Sequence, residues 1–411
     1  MKQNKIVWLQ IAIMAGCVLL GLWFFFDIAK GLCEGNYSIF AHDLSLRHNE
    51  ITCMHKGIDP FDIFERKIES EEFCGTHRPD MPDEPFNGRK VVHTYPAWHM
   101  AVFWWFGYIP KGVCYAVMAG LFLCCLVWAC VWTSKKMRET DLPNRILDIL
   151  FILAMMLYPI SGNCWNLNYG LFLLGCSLLL YDAIERKHVI LAGVIYSLIM
   201  IKPQIGIVFL IPLFFSKQYK IIAIAGAICI AETLFTAWQI NKSPIELILQ
   251  IPQIGAPYHK GFFASIAVKI FGAAGGYLSM GFFLALIAAG CFLVRNADEV
   301  WVRFLPAVAF VPFWTYSWHY DWCILLPCFI YLLNDKQKYP RIFDLCLLQA
   351  ALWEISIFIY EKQWYILGDH RPSTPLFLLL LSSICFIVIS DNKEKWDLNV
   401  LKLKRWDNQG K

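Results

Sequence analysis

Charge is what this chain has least of. Of its 411 residues, 17% are charged and 58% are hydrophobic, against about 25% charged in an ordinary soluble domain. A water-soluble protein of this length cannot hide so much apolar surface, so most of it must face lipid or other buried helices. The net charge is only +4, and no nucleic-acid partner is expected. The 16 cysteines contain no Cys-x-x-Cys pair, which leaves a zinc or dithiol centre without its usual ligand spacing. All but Cys33, Cys53 and Cys74 sit in or beside apolar runs, where a free thiol acts as a small hydrophobe. Those three share a polar loop with room for one disulfide and one thiol left over. No Asp-x-Asp pair is present to hold a divalent ion, and neither a metal nor another cofactor is expected. Internal repeats, low-complexity tracts and a soluble appendage are lacking too, so residues 1–411 read as one membrane domain.

What is present is a long series of apolar runs, at 6–26, 98–132, 146–160, 167–181, 189–201, 204–215, 221–238, 277–294, 304–316, 322–333, 342–360 and 375–389. Crossing a bilayer takes about 20 residues, so the shorter runs are tilted, broken or longer than their apolar stretch. The regions 98–132 and 261–294 each contain a break, at Pro110-Lys111-Gly112 and at Gly272 to Gly276, and each holds one crossing plus a partial one. The expected architecture is an all-α polytopic bundle of ten to thirteen spans. Its first run follows Lys2 and Lys5 without a small-residue cleavage site after it, which reads as a retained span rather than a signal peptide.

Basic clusters orient such a bundle. Lys2/Lys5, Lys135 to Arg138, Arg186-Lys187, Lys217 to Lys220, Arg295 to Arg303, Lys336 to Arg341 and the tail at 391–411 all fall on one side, with both termini in the cytoplasm of a multi-pass cell-membrane protein. The same assignment sends outward the loop 27–95, the turn Asn163 to Asn168, Lys202-Pro203-Gln204, the stretch 239–260, Ser317 to Tyr320, and 361–374. The first outer loop is the only long one. Its middle (Phe61, Ile63, Phe64, Ile68) suits a helix lying on the membrane surface. Nearly every polar group not needed as an inner anchor therefore gathers on one face.

Chemistry on that face needs a donor delivered through the bilayer, because nucleotide sugars and ATP belong to the cytoplasm. A polyprenyl-phosphate sugar meets the need. Transfer from it calls for a carboxylate or imidazole to take the acceptor's proton, and for cations to meet the departing phosphate. The outer loop carries many acids, and spacing alone does not choose among them.

Five segments in order do. They are Asp43 followed by Gly57-Ile58-Asp59-Pro60-Phe61, Tyr95-Pro96, Asn166-Leu167-Asn168-Tyr169-Gly170, the helix from Ala192-Gly193 to Lys202-Pro203, and Ser317-Trp318-His319-Tyr320. Together they resemble glycosyltransferase family 87, polyprenyl-phosphate-sugar-dependent enzymes of the GT-C fold class. The chain departs from the family where Tyr95-Pro96-Ala97 replaces Tyr-Pro-Pro and Asn166-Leu167-Asn168 replaces Gly-Gln-x-Asn. The resemblance implies transfer of a hexose, mannose by family habit, to a hydroxyl of a glycan or glycolipid acceptor; direct attack by that hydroxyl opposite the phosphate would invert the anomeric carbon. It makes Asp43 the catalytic carboxylate, with His319 sharing the proton work or donating to the phosphate, and it adds Tyr95, Asn168 and Tyr320 to the substrate-binding set.

Other candidates rest on the residues themselves. Lys202 lies between two apolar stretches beside a proline, where the basic-side rule does not explain it, and either holds the lipid phosphate or snorkels to headgroups. Arg371 is a second phosphate candidate. Glu232 and Glu354 lie within spans and either bind sugar hydroxyls or pair structurally. Trp314, Trp318 and Trp322 recur every four residues, as a sugar platform centred on Trp318 or as part of an interfacial belt. A transporter or flippase for a lipid-linked glycan, or a polysaccharide polymerase or ligase, is the alternative reading of the whole.

Overall fold

The computed structural model of the chain describes residues 8, 10–19, 22–23, 26, 30, 42–64, 95–255, 262–272, 274–314, 319–360 and 374–393. Among them every regular element is helical, and the protein is an all-α polytopic membrane protein. In chain order the helices are α1 (Gln10–Leu19), α2 (His42–His55), α3 (Pro60–Phe64), α4 (Ala97–Val102), α5 (Lys111–Lys136), α6 (Leu142–Asn166), α7 (Gly170–Glu185), α8 (Val189–Ile199) and α9 (Pro203–Phe215). They continue as α10 (Tyr219–Gln239), α11 (Pro244–Gly255), α12 (Phe262–Phe271), α13 (Ala274–Val294), α14 (Leu305–Trp314), α15 (Leu326–Asn334), α16 (Pro340–Tyr360) and α17 (Thr374–Asp391). Among the described residues α5, α6 as far as Cys164, α10 and α13 are long and apolar enough to cross a bilayer.

Both interrupted regions contain one long helix and shorter pieces. α4 and the 3-10 turn Trp104–Tyr108 precede α5, which starts directly after Pro110. In the second region Gly272, at φ 64°, turns the chain between α12 and α13. Beyond that turn the two backbones touch, since a Cβ on Gly275 would stand 2.1 Å from the Ala267 carbonyl oxygen.

The basic clusters of the described helices share one end of the bundle, laced by ion pairs. Lys136 reaches Glu299 (3.3 Å) and Glu185 (3.6 Å), Arg138 reaches Asp335 (2.9 Å), and Lys336 and Lys338 meet Asp148 and Asp391. Gln10 of α1 donates to Asp344 of α16 (2.6 Å), which brings the start of α1 to that end.

Helix length shapes the opposite end. α8 has 11 residues and α9 has 13, rises of about 16 and 20 Å at 1.5 Å per residue. Their neighbour α10 has 21 residues, about 32 Å. α8 and α10 leave from basic-end turns and α9 returns to one, so the α8–α9 turn at Lys202 is sunk on the order of 10 Å below the end of α10. α4 fills the step: Thr236 of α10 donates to the Ala97 carbonyl (2.9 Å), and the Trp98 indole donates to the Met200 carbonyl (2.8 Å).

One expectation changes. Phe61 and Ile63 of α3 are buried against protein, at 1% and 7% exposure, rather than laid on the membrane; Ile68 is outside the described residues. Helix caps explain their inward pull. Gly57 (φ 72°) closes α2 in the left-handed region, Asp59 Oδ1 accepts from Phe61 N–H (2.9 Å) to start α3, and Pro60 suits the first helical position. Exposed apolar side chains lie instead on α11, at Ile245, Ile248 and Leu249, with Leu247 and Gln250 buried.

Candidate active site

Four polar side chains from separate stretches meet over the sunken turn. Asn168 Nδ2 donates to Asp43 Oδ2 (2.6 Å), Lys202 Nζ donates to Asn168 Oδ1 (2.6 Å), and the same ammonium pairs with Asp321 Oδ1 (2.5 Å). Lys202 and Asp321 are 2% and 1% exposed and Asn168 4%, while Asp43 is half-buried. Buried charges persist only when paired and hydrogen-bonded, and this chain of contacts provides that pairing.

Local structure sets each member. Asp43 occupies the first turn of α2, where a carboxylate is favoured by the helix N-terminus. Arg47 and Glu50, one and two turns further along, share its face and form a buried pair at 2.8 Å. Asn168 follows Leu167, whose left-handed backbone (φ 47°) caps α6. That turn is pinned by Asn163, which donates to the Pro159 carbonyl (2.9 Å) and to Cys323 Sγ (3.2 Å) and accepts from Leu171 N–H (3.0 Å). Lys202 precedes Pro203, and a residue before proline is driven toward extended backbone, here φ −111° and ψ 92°. Its side chain is thereby released from the path of α8. Asp321 lies in the 3-10 helix His319–Leu325.

An aromatic wall closes one side. Tyr95 stacks on His99 (4.3 Å between centroids) and meets Tyr169 edge-on (5.4 Å), and the Arg47 guanidinium lies 4.7 Å over the Tyr95 ring. Burial pushes the Tyr95 phenol well above its ordinary range; Arg47 pulls it down, and Asp43, Asp321 and Glu50 push it up again. The phenol is therefore a neutral hydrogen-bond donor at physiological pH. Burial also works against the Arg47 charge, but Glu50 and its neighbours outweigh it and hold that group above its usual value.

The expected site residues divide clearly. Asp43, Tyr95, Asn168 and Lys202 come together. His319 and Tyr320 open the 3-10 helix immediately before Asp321, with their side chains outside the described atoms. Trp318, Arg371 and the Glu354 side chain also lie outside what is described, as do Cys33 and Cys74. Glu232, on α10, has Oε2 buried with no hydrogen-bond partner among the described residues and makes no bond to the Asp43–Lys202 chain. Snorkelling of Lys202 is excluded by its burial. Of the tryptophans at four-residue spacing, Trp314 lies in α14 and Trp322 in the 3-10 helix His319–Leu325. Trp314 donates to the Gln204 carbonyl (2.6 Å) and Trp322 packs on Phe377 (4.7 Å), so both are packing residues.

Asp321, Arg47 and Glu50 were not anticipated. A second unanticipated cluster joins the end of α10 to the segment after α2. There Lys242 binds Asp59 (2.6 Å) and Asp62 (2.7 Å), and Gln250 of α11 donates to Asp59 (3.2 Å). A wholly apolar cleft of about 400 Å³, lined by Leu210, Phe214, Tyr219 and Ala288, lies toward the basic end and carries no group for chemistry. Among the described residues no three His, Cys, Asp or Glu side chains gather as a metal site.

The model of glycosyltransferase family 87 matches residues 93–246. That stretch holds Tyr95, Asn168, Lys202 and Glu232, whereas Asp43 and Asp321 flank it in sequence and join it in space. No curated protein and no solved structure matches the chain.

Proposed function

We propose that this chain, a glycosyltransferase by its family 87 region, transfers a hexose from a polyprenyl-phosphate donor to a hydroxyl of a glycan or glycolipid, with Asp43 as general base. The observation that carries the reading is the convergence of Asp43, Asn168, Lys202 and Asp321 at a turn sunk within the helical layer. A lipid-linked donor approaches through the bilayer, and a site recessed among the helices meets its phosphate without lifting the lipid chain out of the bilayer.

In the proposed step the acceptor O–H gives its proton to Asp43 as its oxygen bonds to the anomeric carbon. The bond from that carbon to the phosphate oxygen breaks from the opposite face, and polyprenyl phosphate leaves with the electron pair. The configuration inverts. Positive charge from Arg47 meets the charge growing on the leaving phosphate, with His319 as a further candidate. Mannose is the favoured sugar. The shared basic end supports a multi-pass cell-membrane protein with cytoplasmic termini and this site on the extracytoplasmic face.

The test is transfer from a polyprenyl-phosphate mannose by membranes carrying Asp43→Asn. Loss of a general base costs roughly 10²- to 10⁴-fold, with the protein still reaching the membrane. A wild-type rate in the variant, or a product that keeps the donor's anomeric configuration, overturns the assignment.

A further inference from the structure

We propose that Asp321, Lys202 and Asn168 form a positioning relay that aims an amide N–H at Asp43, so that Lys202 acts through Asn168 rather than on the donor phosphate. The inference rests on the assignment of Asp43 as the base.

An asparagine amide has two nearly isosteric orientations, and its neighbours choose between them. Here the choice is forced. Lysine only donates and an ionised carboxylate only accepts. With Lys202 Nζ 2.6 Å from one amide atom and Asp43 Oδ2 2.6 Å from the other, the oxygen must face the lysine and the nitrogen must face the aspartate. Lys202 is the group that breaks the tie. Asp321, 2.5 Å from the ammonium, keeps that cation charged and in place inside a nearly dry environment.

The consequence lies at Asp43. One carboxylate oxygen is held by a neutral donor, which fixes the rotation of the group. The other oxygen is left to take the acceptor's proton. Lys202, 2% exposed and already engaged by protein groups, is poorly placed to turn toward a substrate. Among the described residues, Arg47 on α2, Tyr95 before α4 and Tyr169 beside Asn168 also interact electrostatically with Asp43, and Glu50 pairs with Arg47. Lys111 of α5 meets a different side of α2, at Ser45 (3.0 Å) and Asn49 (2.9 Å).

Two variants remove the relay by different routes. Asn168→Leu deletes the donor at similar volume. Lys202→Met/Asp321→Asn removes both buried charges together and leaves the amide without its orienting partner. The hydrogen bond at Asp43 is read from its carboxylate stretching bands, in infrared difference spectra of each purified protein against its own Asp43→Asn counterpart, a measurement that involves no sugar transfer. Both variants are expected to shift those bands from their wild-type positions, with the larger displacement in Asn168→Leu. In the transfer assay kcat falls about tenfold or more in both variants while KM for the donor stays within about twofold. Unmoved bands in both variants overturn the relay. A donor KM raised about tenfold or more in the double variant, with kcat kept, also overturns it and assigns Lys202 to the phosphate. The infrared result stands apart from the choice of substrate, so failure of the relay and failure of the glycosyl-transfer reading give different outcomes.

Discussion

The two ends of this helical bundle carry the same kinds of side chain under opposite physics. At the basic end Arg138, Lys136 and Lys338 pair with Asp335, Glu299 and Asp391, and Arg138 and Lys338 are 66% and 59% exposed. Solvent screens such pairs, and each is worth about 0–1 kcal/mol. At the other end Lys202–Asp321 and Arg47–Glu50 are at most 3% exposed. There each charge depends on its partner, because desolvation of an unpaired ion costs several kcal/mol. Exposed pairs at one end mark helix register at the headgroup level. Buried pairs at the other are an expense that packing alone does not explain, and they surround the half-buried carboxylate of Asp43.

The largest contrast should come from paired losses of acid. Asp43→Asn lowers transfer by roughly 10²- to 10⁴-fold, whereas Asp391→Asn, which removes the charge that meets Lys338, Tyr331 and Tyr339 at the basic end, changes it less than about twofold. Equal losses would erase the distinction between the ends. The next contrast is in stability. Lys202→Met strands Asp321 and costs roughly 3–5 kcal/mol, and replacing both partners by apolar residues, Lys202→Met/Asp321→Leu, recovers most of it. Arg138→Met costs about 0–1 kcal/mol. Thermal unfolding of the purified variants in detergent measures all three.

Much of the site was legible because burial and function pull in different directions. A lysine between apolar stretches, Lys202, is anomalous on its own, and Asp43, Tyr95 and Asn168 were found through order and resemblance. Asp321 was missed although it follows His319-Tyr320 directly. An acid at the edge of a short apolar run looks like any solvated loop acid until its neighbour is known to be a buried cation. The usable signal was Lys202 itself, since a buried lysine calls for a carboxylate at the same depth on another element. Arg47 and Glu50 were missed because 42–55 read as loop. Leu44, Leu46, Ile51 and Met54 are all buried and lie on more than one face of α2, so no single apolar stripe announces the helix. The amphipathic surface helix was misplaced for a related reason, because α3 and α11 both offer apolar faces and only tertiary packing decides which is covered.

Lys242 tests an intermediate case. It is 16% exposed and serves both Asp59 and Asp62, with Asp59 at 1%. Lys242→Met should cost roughly 1.5–3 kcal/mol, the range for hydrogen bonds to charged groups. Salt should weaken the wild-type contact less than it weakens Arg138–Asp335. A cost no larger than that of Arg138→Met would move this cluster into the class of the basic end.

The smallest effect distinguishes the ends by pH. His48 of α2 donates through Nε2 to the Ile109 carbonyl (3.1 Å) and packs near Lys111. Burial lowers its pKa below the ordinary 6.5; the Ile109 bond raises it in part, and Lys111 lowers it further. In the folded protein the ring therefore stays neutral to lower pH than in the unfolded chain. As pH falls below 6.5 the unfolded state binds this proton first, so the stability His48 contributes is present above that value and is lost as pH drops through the folded pKa. His48→Gln keeps a donor for Ile109 and removes the titration. The fall in melting temperature between about pH 7 and about pH 5 should be shallower in this variant than in the wild type. An unchanged slope would mean that other groups carry the acid sensitivity of this end, and a steeper one would reverse the sign argued for His48.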